Sequence, residues 1–267
     1  MPELWTDGRR LHYQEWGPPD GPAVLLLHGL TGRAAVWEPV ARRLAAVGFR
    51  TVACDLRGHG ASDRAADYRL TGYVEDTIAV IERLGLAPAH LIGHSLGGTI
   101  AWEVAGARPA LARCLVIEDQ HPEADPAAPA VWQEWARGWP WRFASQAEGL
   151  AFLEATGRSL AWWAPSLVPL PDGGWGWAFD RTAVVETARH LWSQAAWDRL
   201  ARVPVPTLLL RGEQSQHLTA ETAARMAAII PRCRLVTVPG ADHWIHRDAD
   251  RFADLVIPFL QTCAQSG

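Results

Sequence analysis

Gly93-His94-Ser95-Leu96-Gly97 decides how this chain is read. The pentapeptide has the form Gly-x-Ser-x-Gly. An apolar run, Ala89-His90-Leu91-Ile92, precedes it and reads as a buried strand. Gly98-Thr99-Ile100-Ala101-Trp102-Glu103-Val104-Ala105 follows it and reads as a helix. Strand, pentapeptide, helix is the context of a sharp elbow that presents a serine hydroxyl. Such a turn holds the serine at strained backbone angles, and side chains two positions away would strike the strand or the helix. Gly93 and Gly97 fill those two positions, and Gly98 relieves the same crowding one residue on. Ser95 is the candidate nucleophile.

Working outward, residues 3–16 read as a hairpin turning at Thr6-Asp7-Gly8. Ala23-Val24-Leu25-Leu26-Leu27 is continuously apolar, as a parallel strand covered on both faces should be. A helix at about Ala35–Val47, a strand at Thr51–Cys54 and a helix near Thr71–Leu84 lead to the elbow. After it come the strand Cys114–Ile117 and, from Pro206, a second run: strand to Leu210, helix Ala220–Ile230, strand Arg234–Val238, helix Asp248–Leu260. This alternation predicts an α/β fold with a mainly parallel, doubly wound sheet. The alternation breaks at Pro122. Residues 122–198 hold ten of the 15 tryptophans and show no strand pattern. They are expected to form a Trp-rich, mainly helical cap over the carboxyl ends of the strands, inserted into a core of residues 1–121 and 199–267. Ala264–Gly267 read as a frayed tail.

The 267 residues carry a net charge of -4, which gives no basic face for nucleic acid. All 25 cations are arginine, so lysine chemistry such as a Schiff base is excluded. Cys54, Cys114, Cys233 and Cys263 form no Cys-x-x-Cys pair and are expected to be reduced, with neither a disulfide framework nor a zinc site. The first residues lack an apolar signal region and no apolar run approaches a membrane span, so a cytoplasmic protein without membrane contact is expected.

A serine hydroxyl needs a base, and the base needs an orienting acid. After an elbow of this kind the chain order is serine, acid, histidine. His243, in the loop Pro239–Trp244 after the last strand, is the expected base, in preference to His246. Position alone leaves the acid open among Asp119, Glu118 and Glu213. Glu118 and Asp119 are adjacent at a strand end and face opposite ways, so one of them at most reaches His243. Asp242, beside the base, should point away. The backbone N–H groups of Leu96 and Leu30 are the expected oxyanion donors. His28 and His94 read as structural residues, and Asp55 and Arg57 as a pair that holds backbone. In the cap, Arg137 or Arg142 are candidates to take a substrate carboxylate. The tryptophans either line an apolar pocket or knit the cap to the sheet.

These residues resemble the α/β-hydrolase superfamily. The matches are His28-Gly29, Asp55-Leu56-Arg57-Gly58-His59-Gly60, the Gly93–Gly97 elbow with Gly98, and Gly240-Ala241-Asp242-His243. They span residues 3–121 and 200–263. Most members place an Asp three residues after the glycine that ends the seventh strand; here that position is Ser215. In this the chain is similar to a smaller group of bacterial serine esterases, whose acid is an Asp after the sixth strand and which carry Ser at the usual acid position. The resemblance favours Asp119 as acid, with Glu213 the alternative, and gives Ser215 a role in bonding the imidazole or Asp119; otherwise Ser215 is a loop residue capping a helix. Epoxide hydrolases and haloalkane dehalogenases use an Asp nucleophile and do not fit Ser95. The implied activity is hydrolysis of carboxylic esters of apolar or aromatic small molecules through an acyl-enzyme, with no cofactor or metal, by a monomer or homodimer. Lactonase, thioesterase, C–C hydrolase, lyase and perhydrolase chemistry use the same machinery, and a ligand-binding receptor with residual hydrolase activity is a further alternative.

Overall fold

Leu25 and Leu27 pack into one hydrophobic layer while Val24 and Leu26 pack into another. That alternation is the strand period of two, and it means the strand is covered on both faces. The strand is β3 in a computed structural model that describes residues 2–6 and 8–265. The first six strands are β1 (Glu3–Thr6), β2 (Arg9–Trp16), β3 (Ala23–Leu27), β4 (Arg50–Cys54), β5 (Ala89–His94) and β6 (Ala112–Glu118). Three short strands follow, β7 (Arg142–Phe143), β8 (Leu167–Pro169) and β9 (Trp175–Trp177), then β10 (Thr207–Gly212) and β11 (Cys233–Val238). The main sheet has eight strands in the order β1-β2-β4-β3-β5-β6-β10-β11. From β4 onward every pairing in it is parallel; the hairpin β1–β2 adds the antiparallel edge.

Helices α1 (Glu38–Ala46), α2 (Leu70–Arg83) and α3 (Leu96–Ala107) belong to the first half of the sheet. Helices α4 (Ala128–Gly138), α5 (Gln146–Ala155), α6 (Leu160–Trp163), α7 (Arg181–Leu191) and α8 (Trp197–Leu200) follow β6, and α9 (Ala220–Ile229) and α10 (Ala249–Gln265) flank β11. Val40, Leu44, Phe252, Val256 and Leu260 cover one face of the sheet from α1 and α10; α2, α3 and α9 contribute to the layer on the other. Each fully buried leucine in these layers contributes about 1.5–3 kcal/mol. Among the described residues no helix is long and apolar enough to cross a membrane.

The stretch expected to lack strands contains three. β7, β8 and β9 form a small antiparallel sheet among helices α4–α7. Strands of two and three residues are too short to show a period in sequence. This layer is tied to the core through the Asp55–Ser62 turn: the Gly60 N–H donates to Ala178 O at 2.5 Å and the Asp180 N–H to Gly58 O at 2.8 Å. The expected tail is also shorter, since Ala264 and Gln265 complete α10. Asp7 of the first turn, and Ser266 and Gly267 of the tail, lie outside the described residues.

Candidate active site

The elbow has the geometry its glycines demand. Ser95 sits between β5 and α3 at φ 51° and ψ -118°, a strained conformation for a residue with a side chain, costing about 1–3 kcal/mol. The fold holds it there: the Ser95 N–H donates to Glu118 O at 3.0 Å, and Ser95 O accepts from the Thr99 N–H at 3.1 Å. A Cβ on Gly93 would lie 2.1 Å from Gly97 O, and one on Gly97 would lie 2.1 Å from Leu27 O. Leu96 opens α3, so its N–H belongs to the first turn and has no acceptor within the helix. Leu30 approaches from the loop after β3. Gly29 makes that approach possible, because a Cβ there would lie 2.7 Å from His94 Nδ1.

The Leu30 loop is fixed by buried imidazoles. His59 Nε2 lies 2.7 Å from Leu30 O. His28 Nε2 accepts from the Leu56 N–H at 3.0 Å, so its Nδ1–H donates to Gly29 O at 2.8 Å. Burial, with the neighbouring His59, lowers the His28 pKa to about 3, so the ring is neutral and structural. Asp55 and Arg57 do not pair with each other as expected. Asp55 accepts from the Ala34 and Ala61 N–H groups and bonds His12 Nδ1 at 2.7 Å. Burial pushes its carboxyl up, but these bonds outweigh it and hold the group below its ordinary value. Arg57 turns away to Asp76, with Nε to Oδ2 at 2.7 Å. Sequence spacing suggested the nearer partner; the fold supplies ones 43 and 19 residues distant.

The adjacent carboxylates at the end of β6 diverge. Asp119 is fully buried and lies 2.8 Å from His243 Nδ1 through Oδ2. Its Oδ1 accepts from the Gly212 N–H at 3.0 Å. The Ser215 hydroxyl donates to Asp119 Oδ2 at 2.5 Å and accepts from the N–H groups of His217 and Leu218. Ser215 therefore bonds the carboxylate and caps its own loop, while the N-cap of α9 is Thr219. Asp119 has φ 48°, a left-handed conformation that aspartate tolerates better than most residues. Glu213 is exposed and accepts from the Gly240 N–H at 2.8 Å, which fastens the loop that carries His243. Asp242 points to Arg247 and the Trp244 N–H.

Glu118 meets the other histidine of the loop. Its carboxylate, fully buried, takes both the His246 N–H at 2.9 Å and His246 Nδ1 at 2.8 Å. His94 Nε2–H donates to His243 O at 3.0 Å. His94, Glu118 and His246 bring one ligand atom each within 4.8 Å of one another, but both Glu118 oxygens are already engaged by His246. The set is a hydrogen-bonded brace beneath the loop that carries His243. Removing Glu118 would strand two buried donors, so Glu118→Ala should cost about 3 kcal/mol of stability. Urea denaturation measures this; a variant as stable as the parent would contradict the brace.

With this geometry in view, comparison with known proteins is decisive for the family. Residues 22–250 match the model of the alpha/beta hydrolase fold. The chain belongs to the α/β-hydrolase family. Among the relatives of this α/β hydrolase are two bacterial enzymes, each 32% identical to it. One is 2-(acetamidomethylene)succinate hydrolase of Mesorhizobium japonicum, aligned over 85% of this chain and 83% of that protein. The other is 3-hydroxybutyrate-oligomer hydrolase of Cupriavidus necator, aligned over 88% and 87%. The crystal structure of E-2-(acetamidomethylene)succinate hydrolase superposes with a TM-score of 0.86 at 29% identity, covering 97% of this chain and 98% of that one.

Ser95 and His243 of this hydrolase share the wall of a cavity of about 350 Å³. Imidazole rings follow one another along it, tilted by 53–60°: His121–His217, His217–His243 and His94–His243 are each 4.5 Å between centroids. Burial, with the charge of His243 added, holds His94 and His217 well below the ordinary histidine pKa, so His243 lies between neutral rings. His217 Nε2 lies 2.6 Å from Gln120 Oε1, and Gln120 Nε2–H donates to Thr99 Oγ1 at 2.7 Å. His121, His217 and Gln120 were not legible as site residues, because no motif marks them.

Some of the tryptophans take the first expected role, and others pack within the cap itself. Trp132, Trp163 and Trp192 line the cavity. Trp139 and Trp177 are buried, with ring centroids 5.3 Å apart, and Trp141 donates its indole N–H to Ala136 O. Arg137 and Arg142 were expected near a substrate carboxylate, but each pairs with a surface acid, Glu134 and Asp172, and neither lines the cavity.

Proposed function

We propose that this protein is a serine hydrolase that cleaves carboxylic esters of apolar or aromatic small molecules through an acyl-enzyme. Ser95 attacks the carbonyl carbon. His243 takes the serine proton and returns it to the leaving alcohol. Asp119 holds the Nδ1 proton and stabilises the imidazolium, and Ser215 in turn holds Asp119. The N–H groups of Leu30 and Leu96 receive the oxyanion. Water activated by His243 then releases the acid. The observation that carries this reading is the 2.8 Å contact of His243 with buried Asp119 beside a serine strained at an elbow. The tryptophan wall supports an apolar substrate. The four described cysteines are free thiols, which suits a reducing compartment such as the cytoplasm. The acid after β6, with Ser215 at the usual acid position, supports placement in the esterase branch that has this arrangement.

The test is covalent. A fluorophosphonate should add one phosphonyl group to the Ser95 peptide, seen by mass spectrometry, and stop turnover of p-nitrophenyl esters. Labelling at another residue, or full turnover after labelling of Ser95, would overturn the assignment.

A further inference from the structure

Of the 25 arginines, Arg158 is the one on the wall of the Ser95 cavity among the described residues. It has a built seat. Its N–H donates to Leu153 O at 2.8 Å, which fixes its backbone just after α5. Its guanidinium lies over two buried indoles, 5.1 Å from the Trp139 ring centroid and 5.7 Å from that of Trp163. A guanidinium resting its face on aromatic rings keeps its N–H edge for an acceptor in its own plane. Among the described residues no carboxylate pairs with it, in contrast to Arg137 and Arg142. The one carboxylate on the cavity wall among the described residues, Asp125, accepts its own loop's Ala127 N–H at 2.9 Å.

From this we infer that the cavity takes an anionic substrate: an ester whose acyl part ends in a carboxylate, received by Arg158 while the scissile carbonyl sits at Ser95. The inference rests on the serine-hydrolase reading and changes its substrate from a wholly apolar ester to one whose apolar acyl chain ends in a carboxylate. Trp132, Trp163 and Trp192, which line the same cavity, fit an apolar spacer. The carboxylate is the chemistry that a planar two-donor fork selects. Arg158 is a binding residue and takes no part in bond breaking.

Two p-nitrophenyl esters that differ at the far end of the acyl chain by a charge and one methyl group test it: the hemiadipate, with a free carboxylate, and its methyl-ester twin. The parent enzyme should favour the anion in kcat/KM by about tenfold, the advantage lying in KM and shrinking with salt, because Arg158 is exposed. Arg158→Gln should bring the ratio near unity and Arg158→Lys should keep part of it, while Arg137→Gln and Arg142→Gln leave the ratio unchanged. A parent ratio at or below one, or a ratio unmoved by Arg158→Gln, overturns the subsite. Calorimetry separates this from the wider reading. The Ser95→Ala protein should bind monomethyl adipate, and the Ser95→Ala/Arg158→Gln protein should not. If neither ester turns over, the esterase reading fails and calorimetry alone decides the subsite: binding that depends on Arg158 upholds it, and absent or Arg158-independent binding ends it.

Discussion

Ser95→Ala is expected to lower kcat for p-nitrophenyl esters by about 10⁵-fold while leaving KM within a few-fold, as loss of a nucleophile that acts in concert with its base does. The structure keeps this variant interpretable. Alanine removes one oxygen at a position whose backbone is held by two hydrogen bonds, Ser95 N–H to Glu118 O and Thr99 N–H to Ser95 O. Relief of the hydroxyl does not relieve the φ of 51°, so the elbow persists and the protein should unfold at nearly the parent temperature. His243→Ala should cost a similar factor, and the double variant little more than either single one, because the two groups act as a unit. Turnover near the parent rate in Ser95→Ala would remove the nucleophile from the mechanism and leave the cavity as a binding site.

How much of this was legible in sequence varies with the length scale of the interaction. The elbow was readable because the pentapeptide and the strand and helix beside it are contiguous in sequence: Gly93 is required by Gly97 O, 2.1 Å from its would-be Cβ, although the contact that requires Gly97, 2.1 Å to Leu27 O, comes from the neighbouring strand. The parallel strands were readable because burial on both faces leaves a continuous apolar run. The Glu118–Asp119 pair was half readable. Strand alternation says that one side chain alone reaches His243, but which one depends on the left-handed φ of Asp119, and no residue pattern encodes that. The partner of the loser was not readable at all. Glu118 meets His246 across 128 residues of chain, and the same loop delivers His243 to Asp119. Arg158 was missed for a related reason. Its cap neighbours Trp139, just past α4, and Trp163, at the end of α6, are distant in sequence, and the cap strands are too short to give a period. Arg137 and Arg142 were named as cap arginines, and their partners Glu134 and Asp172 neutralise them at the surface.

Asp119→Asn is the variant that separates the candidate acids. Asparagine keeps the shape and can still accept from the Gly212 N–H, which now donates to Asp119 Oδ1 at 3.0 Å. What changes is the partner of His243. An amide NH₂ facing Nδ1 favours the ring tautomer with its proton on Nε2, which cannot take the proton of Ser95, and it removes the charge that stabilises the imidazolium. A loss of about 10⁴-fold in kcat is expected near neutral pH, with KM little changed. Glu213→Gln should stay within about threefold, because Glu213 is exposed and accepts one N–H, that of Gly240, a bond that a glutamine oxygen can also accept. Ser215→Ala belongs on the same scale as a graded control. It removes a 2.5 Å donor to Asp119 Oδ2 and the acceptor for the His217 and Leu218 N–H groups, so it should cost about tenfold in kcat and about 1–2 kcal/mol in stability. The order Asp119→Asn, Ser215→Ala, Glu213→Gln follows from depth of burial and from which groups touch the ring. If Glu213→Gln proved the crippling change, the base loop would have to swing His243 away from Asp119 during turnover, and the buried carboxylate would be a structural anchor for Gly212 and Ser215 alone.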